Sequence, residues 1–136
     1  MPLKYKIVPD LKFVYIKASG EITVDEIMMA GAKIFTDREW VNGFNILCDY
    51  RETTALNLTS GDIRKIIKQD INNSPLFDKS KFAVVADKDL IFGLSRMWEI
   101  LSENNPIQTM VFRDISDALR WLDMEDHIFQ SIKDLP

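Results

Sequence analysis

The sequence predicts an α/β protein built on a mostly parallel sheet, and three observations carry that reading. After residue 18, short runs of β-branched and aromatic residues alternate with stretches whose apolar residues recur at helical spacing, the pattern of strands joined by helical crossovers. One run, residues 81–86, is almost continuously apolar, as in a central strand covered on both faces. The first two strand patterns are separated by only a short turn, so they pair as an antiparallel hairpin. The expected architecture is five strands in sequential order, the first an antiparallel edge strand, with four main helices and right-handed crossovers.

The elements follow in chain order. Residues 5–8 form a weak strand closed by Pro9-Asp10, and residues 13–18 a stronger one that ends at Ser19-Gly20. Thr23 caps the first helix and Glu26, three residues on, completes a capping box. Val24, Ile27, Met28, Gly31, Ile34 and Phe35 make its apolar stripe, and Gly31 on that stripe lets the helix approach the sheet. Residues 37–43 link to a third strand at 45–49, with Trp40 and Phe44 plugging the end of the core. A polar loop, 52–58, leads to Thr59, which caps a second helix with Asp62 at its positive end. Ile63, Ile66, Ile67 and Ile71 form the buried stripe of that helix; Arg64, Lys65 and Lys68 lie on a solvated face. Asn72-Asn73-Ser74-Pro75 ends it. Strand 81–86 precedes a third helix over 90–103, stopped by Asn104-Asn105-Pro106. A fifth strand at 109–112 and a helix capped by Asp114, ending near Leu122, complete a single domain over residues 1–123. The tail, 124–136, carries Ile128, Phe129 and Ile132, which suit a docked helical turn.

Composition bounds the function. The chain has 136 residues, 46% of them hydrophobic, enough for one packed core. Its 17 basic residues are scattered and the net charge is −4, which is no nucleic-acid footprint. Cys48 is the one cysteine, so no disulfide closes within the chain and a reducing cytoplasm fits. The N-terminus shows no signal-peptide pattern, and no apolar run approaches the ~20 residues that span a bilayer.

Catalytic signatures are missing from the sequence. One histidine, His127, and one cysteine give no transition-metal set. The glycines form neither a P-loop nor a dinucleotide fingerprint, and there is no Gly-x-Ser-x-Gly elbow. No catalytic residue, metal or cofactor is expected. Asp49, Arg51 and Glu52 sit at a strand end, where an ion pair and a solvated loop account for them.

Phe44-Asn45-Ile46-Leu47-Cys48-Asp49-Tyr50-Arg51, continuing to Thr59, resembles a segment of the small bacterial proteins grouped as SpoIIAA-like or STAS-like. Ile91-Phe92-Gly93-Leu94-Ser95-Arg96-Met97-Trp98-Glu99 is similar to their second hallmark. Val111-Phe112-Arg113-Asp114 with Ala118-Leu119-Arg120-Trp121-Leu122 is similar to their third. The resemblance spans residues 4–123 or so. It implies the SpoIIAA-like β-α superhelix and a non-enzymatic regulatory module akin to anti-sigma-factor antagonists, which bind a regulatory kinase and are switched by phosphorylation of a serine at the start of the second helix. Here Leu58 stands where that serine is expected. Thr59 and Ser60 are the neighbouring candidate phosphoacceptors, and the expectation is that the switch is absent and Thr59 is chiefly a cap. Asp49, Arg51, Asn57, Thr59 and Ser60 form the candidate partner or ligand loop.

An alternative reading is a binder or carrier of a lipid or other apolar small molecule at a membrane surface, since the same fold is compared with lipid-carrying CRAL-TRIO domains. In the third helix Leu90, Ile91, Leu94, Met97, Trp98 and Leu101 cover one broad face, expected to be core. Phe92, Arg96 and Ile100 fall together on another side and form the candidate apolar surface. A homodimer is compatible with either reading.

Overall fold

The computed structural model describes residues 2–76, 79–105 and 107–135; Pro106 and Pro136 lie outside them. The elements are β1 (Leu3–Val8), β2 (Phe13–Thr23), α1 (Val24–Phe35), β3 (Asn45–Asn57), α2 (Ser60–Asn72), β4 (Lys81–Val85), α3 (Asp89–Leu101), β5 (Gln108–Phe112), α4 (Ile115–Trp121) and α5 (Asp126–Ile132). The five strands form one sheet in the order β1-β2-β3-β4-β5. β1 pairs antiparallel with β2, and the other three pairings are parallel. This is the architecture the sequence implies, with a fifth helix where the docked turn was expected.

Strand alternation splits the core in two. Val14, Ile16, Ile46, Cys48, Tyr50 and Val84 face one side, where α1, α2 and α3 pack. Phe13, Tyr15, Leu47, Ala83 and Val85 face the other, with Ala118, Leu119 and Leu122 from α4 and its exit and Phe129 from α5. Phe129 is 1% exposed, and Tyr15 meets its ring edge-on at 5.1 Å. The tail is thereby part of the second core. Trp40 and Phe44 are buried beside Phe35 as a chain of edge-to-face rings.

Four local readings change. First, residues 52–58 are not a loop. β3 runs on to Asn57 and β2 to Thr23, paired up to Thr23 with Asn57, with register shifts after Lys17 and after Gly20. Gly20 does not end β2 but sits within it at φ +72, the left-handed conformation that glycine adopts freely and that suits a bulge. Polarity misled here because one face of this extension is wet: Glu52, Thr54 and Asn57 are exposed while Thr53 and Leu56 are buried.

Second, Gly31 accommodates α2 rather than the sheet. A Cβ there would lie 3.3 Å from Gln69 Oε1, and Gln69 Nε2 donates to the Met28 carbonyl across the helix pair. Third, Ile71 is 50% exposed, and Asp70 takes its place on the inward stripe of α2.

Fourth, α3 is rotated by roughly 70° from the expected face, at 100° per residue. Its buried positions are Ile91, Ser95 and Trp98, followed by Ser102. Leu90 is 83% exposed, and Met97, Ile100 and Leu101 are also exposed. Hydrophobicity alone chose the arc with most leucine and methionine. Packing instead chose the arc that inserts Trp98, whose ring meets Phe82 at 5.1 Å, with Ser95 and Ser102 buried on the same arc.

Candidate functional site

Asp49 lies near the middle of β3 and is buried at 3% exposure. It points to the α4/α5 side with Tyr15. Its Oδ1 accepts from the Arg51 backbone N–H at 3.0 Å and from Arg51 Nε at 2.9 Å. Its Oδ2 accepts from Arg51 Nη2 at 2.8 Å and from the Tyr15 hydroxyl at 2.7 Å. Both oxygens are therefore saturated by a bidentate guanidinium fork, a backbone amide and a phenol. Burial by itself would raise the Asp49 carboxyl; the Arg51 and Tyr15 bonds outweigh it and hold the group below the usual carboxylate range. Burial and the bond to Asp49 push the Tyr15 phenol up. The cluster anchors structure and leaves no lone pair for chemistry.

Asp49 and the start of α2 are not brought together. From Asp49 to Asn57 the chain is one strand, and eight steps at ~3.3 Å each separate them by about 20–25 Å once the bulges are allowed for. The five loop residues therefore divide into two places: Asp49 and Arg51 within the sheet, and Asn57, Thr59 and Ser60 at its far end.

At that end Thr59 and Asp62 form a complete capping box. The Asp62 N–H donates to Thr59 Oγ1 at 3.1 Å, and the Thr59 N–H donates to Asp62 Oδ2 at 3.0 Å. These bonds satisfy donors that every helix start leaves open. Ser60 is exposed at the first helical position. Leu58 is half-buried and packs on the α1–α3 core.

The candidate surface on α3 is also divided. Phe92 is half-buried, and the Arg113 guanidinium covers its ring at 4.1 Å while bonding Asp89 at 2.8 Å. Arg96 pairs with Glu99, which accepts from the Val111 N–H. Ile100 remains 54% exposed. The exposed apolar row is instead Leu90, Met97 and Leu101, with Ile100 beside it.

The feature that sequence reasoning missed lies on the other face of the sheet. Between the sheet and α1, α2 and α3 is a cavity of about 90 Å³. Its walls are mostly apolar, including Ile16, Ile46, Ile63, Ile66 and Leu94, with Leu58 among the lining residues. Small residues at Ala30 on α1 and Ser95 on α3 line the space. Five polar-tipped side chains reach it: Tyr50, Gln69, Asp70, Ser95 and Trp98. The Trp98 indole N–H donates to Asp70 Oδ2 at 3.2 Å. Asp70 keeps some solvent contact as a residue, but dense protein surrounds its carboxylate, and that burial raises its pKa to about 7 against the opposing Trp98 bond. Cys48 and Tyr50, also at the cavity, interact with each other, and burial pushes the thiol up to about 12. An apolar space with a few convergent polar groups and a perturbed carboxyl has the character of a binding site. The signal was present in the sequence: Asp70 stands seven, four and three residues after Ile63, Ile66 and Ile67, a charged residue on an apolar stripe.

Among the described residues no group of histidine, cysteine, aspartate or glutamate is arranged to hold a metal, and no helix is long and apolar enough to cross a membrane. No family model matches the sequence, and no curated protein matches it. Solved structures do match. An uncharacterized protein of the DUF3478 family from Shewanella loihica PV-4, described as having a SpoIIAA-like fold, aligns with TM-score 0.55 at 20% identity, covering 88% of this chain and 91% of that one. The anti-sigma factor antagonist SpoIIAA in its unphosphorylated form aligns with TM-score 0.50 at 8% identity, covering 89% and 97%. At such identities the likeness speaks to architecture. Sequential strand order, one antiparallel edge and helices on both faces, together with these two alignments, give the chain a SpoIIAA-like fold.

Proposed function

We propose that the protein is a non-enzymatic regulatory module that binds a protein partner, a regulatory kinase or similar, without a phosphate switch at the start of α2. Its likeness to an anti-sigma factor antagonist supports the regulatory part. The observation that carries the rest is the local geometry at 58–62. Leu58 is packed inward, and the Thr59 hydroxyl is engaged as a helix cap. The saturated oxygens of Asp49 favour a structural role over a catalytic one. A cytoplasmic location belongs to the same reading, with Cys48 as a buried free thiol. Protein recovered from its own cells should carry no phosphate on Thr59 or Ser60 and should crosslink to one protein in stoichiometric amount. Stoichiometric phosphate at either hydroxyl overturns the missing switch. Absence of any stoichiometric protein adduct overturns the regulatory role.

The cavity favours a second reading, in which the module binds an apolar small molecule. Native mass spectrometry of protein purified without detergent should then show a small adduct, and an Ala30→Leu variant, which fills the cavity, should lose it. An adduct retained by that variant, or no adduct and no uptake of added apolar compounds, counts against this reading.

A further inference from the structure

The cavity has a polar end beside its apolar walls. Asp70 lies on the inward stripe of α2, and among the described residues it receives one hydrogen bond, from Trp98 to Oδ2. Its other oxygen takes no protein donor and keeps solvent contact, since it is not one of the buried atoms left without a partner. Gln69 gives one of its two amide N–H groups to the Met28 carbonyl and Tyr50 interacts with Cys48, and among the described residues neither they nor Ser95 hydrogen-bond to Asp70. Among the described residues no lysine or arginine lines the cavity. The site is therefore an apolar chamber whose polar end carries one carboxylate and no cation.

Resting on the small-molecule reading above, we propose that the cavity takes a short apolar amine, with its hydrocarbon part against Ile46, Ile63 and Leu94 and its ammonium group on the free oxygen of Asp70. The chemistry favours this class over the obvious alternative, a fatty acid. A carboxylate here would face Asp70 with no cation to offset the like charge, so one of the two would have to take up a proton. An ammonium group brings an opposite charge and a donor to the same oxygen, and makes a charge-assisted bond of the stronger kind. An alcohol supplies the donor without the charge and ranks between them. The burial that raises the Asp70 pKa points the same way, because a buried carboxyl without a cation is the group a cationic ligand stabilises most. Size sets the other limit. About 90 Å³ is less than the ~150 Å³ of an engineered apolar cavity that accepts benzene, so the ligand is a short chain rather than a long acyl lipid.

The test uses butylamine, butanol and butyrate with the full-length protein at pH 7.5, read by amide chemical shifts of residues at the cavity and by titration calorimetry. The expected order is amine, then alcohol, then acid, with at least a tenfold gap between the first and the last. Asp70→Asn keeps an acceptor for Trp98 but removes the charge, and should bring the amine to the affinity of the alcohol. Circular dichroism checks that this variant folds. Butyrate binding as tightly as butylamine, or an amine preference that survives Asp70→Asn, overturns the ligand class while leaving the cavity reading intact. If none of the three compounds shifts the cavity resonances of the wild type, the cavity reading itself fails. If they bind elsewhere, shown by unchanged binding in Ala30→Leu, the proposal is likewise overturned.

Discussion

Replacing Asp70 with asparagine should stabilise the protein at neutral pH and flatten its pH dependence. The buried carboxyl has a pKa near 7 in the fold, against the ordinary aspartate value of 3.8. Between those values the folded state holds a proton that the unfolded chain has released, so stability falls as pH rises across this window. The contribution is complete below pH 3.8 and is lost as pH passes through about 7. Three pKa units at ~1.36 kcal/mol each give a ceiling of roughly 4 kcal/mol. Asp70 retains some solvent contact, so about 2 kcal/mol is the working figure. Asparagine cannot ionise and keeps an oxygen for the Trp98 N–H. Urea unfolding of both proteins between pH 4 and 8 should show curves that meet near pH 4 and separate by about 2 kcal/mol at pH 8, the variant being the more stable. Asp49 acts in the opposite sense: its lowered pKa contributes stability that is lost as pH falls through that lowered value, and this loss is shared by both proteins. Parallel curves across the whole range, or a less stable variant at pH 8, would refute the reasoning.

Three further expectations concern stability alone. Thr59→Ala removes a cap whose bond to the Asp62 N–H is 3.1 Å and should cost about 1 kcal/mol in chemical denaturation; no change would show that the capping box is idle. Phe129→Ala empties a site that is 1% exposed and should cost about 3–5 kcal/mol, whereas a loss under ~1 kcal/mol would mean that α5 contributes little to the core. Gly20→Ala meets no atom within 4 Å but forces an L-residue to φ +72, so thermal unfolding should report a loss of about 1–2 kcal/mol from backbone conformation alone.

The alternation of strand and helix patterns settled the topology from sequence alone. Parallel neighbours need crossovers and hairpins do not, so the short turn before Phe13 and the helices after Thr23 left one economical order. The caps of α1 and α2 were equally legible, whereas α3, expected to be capped from Asp87–Asp89, begins after Lys88 with no side-chain cap. Thr23 with Glu26 and Thr59 with Asp62 act within three residues, and such chemistry does not depend on the rest of the fold. What tertiary structure decided was everything that depends on a neighbour. The extension of β3 through Arg51-Glu52-Thr53-Thr54 forms because β2 continues beside it, and polar residues on the wet face of a paired strand look like a loop until the partner is known. The buried face of α3 was set by where Trp98 fits, not by where leucines are densest. The site itself was the least legible part. Asp49 and Thr59, ten positions apart, suggested one loop, yet an extended strand keeps them apart. Asp70, Tyr50 and Trp98 lie far apart in sequence but share one cavity, because α2 and α3 pack on the same face of the sheet.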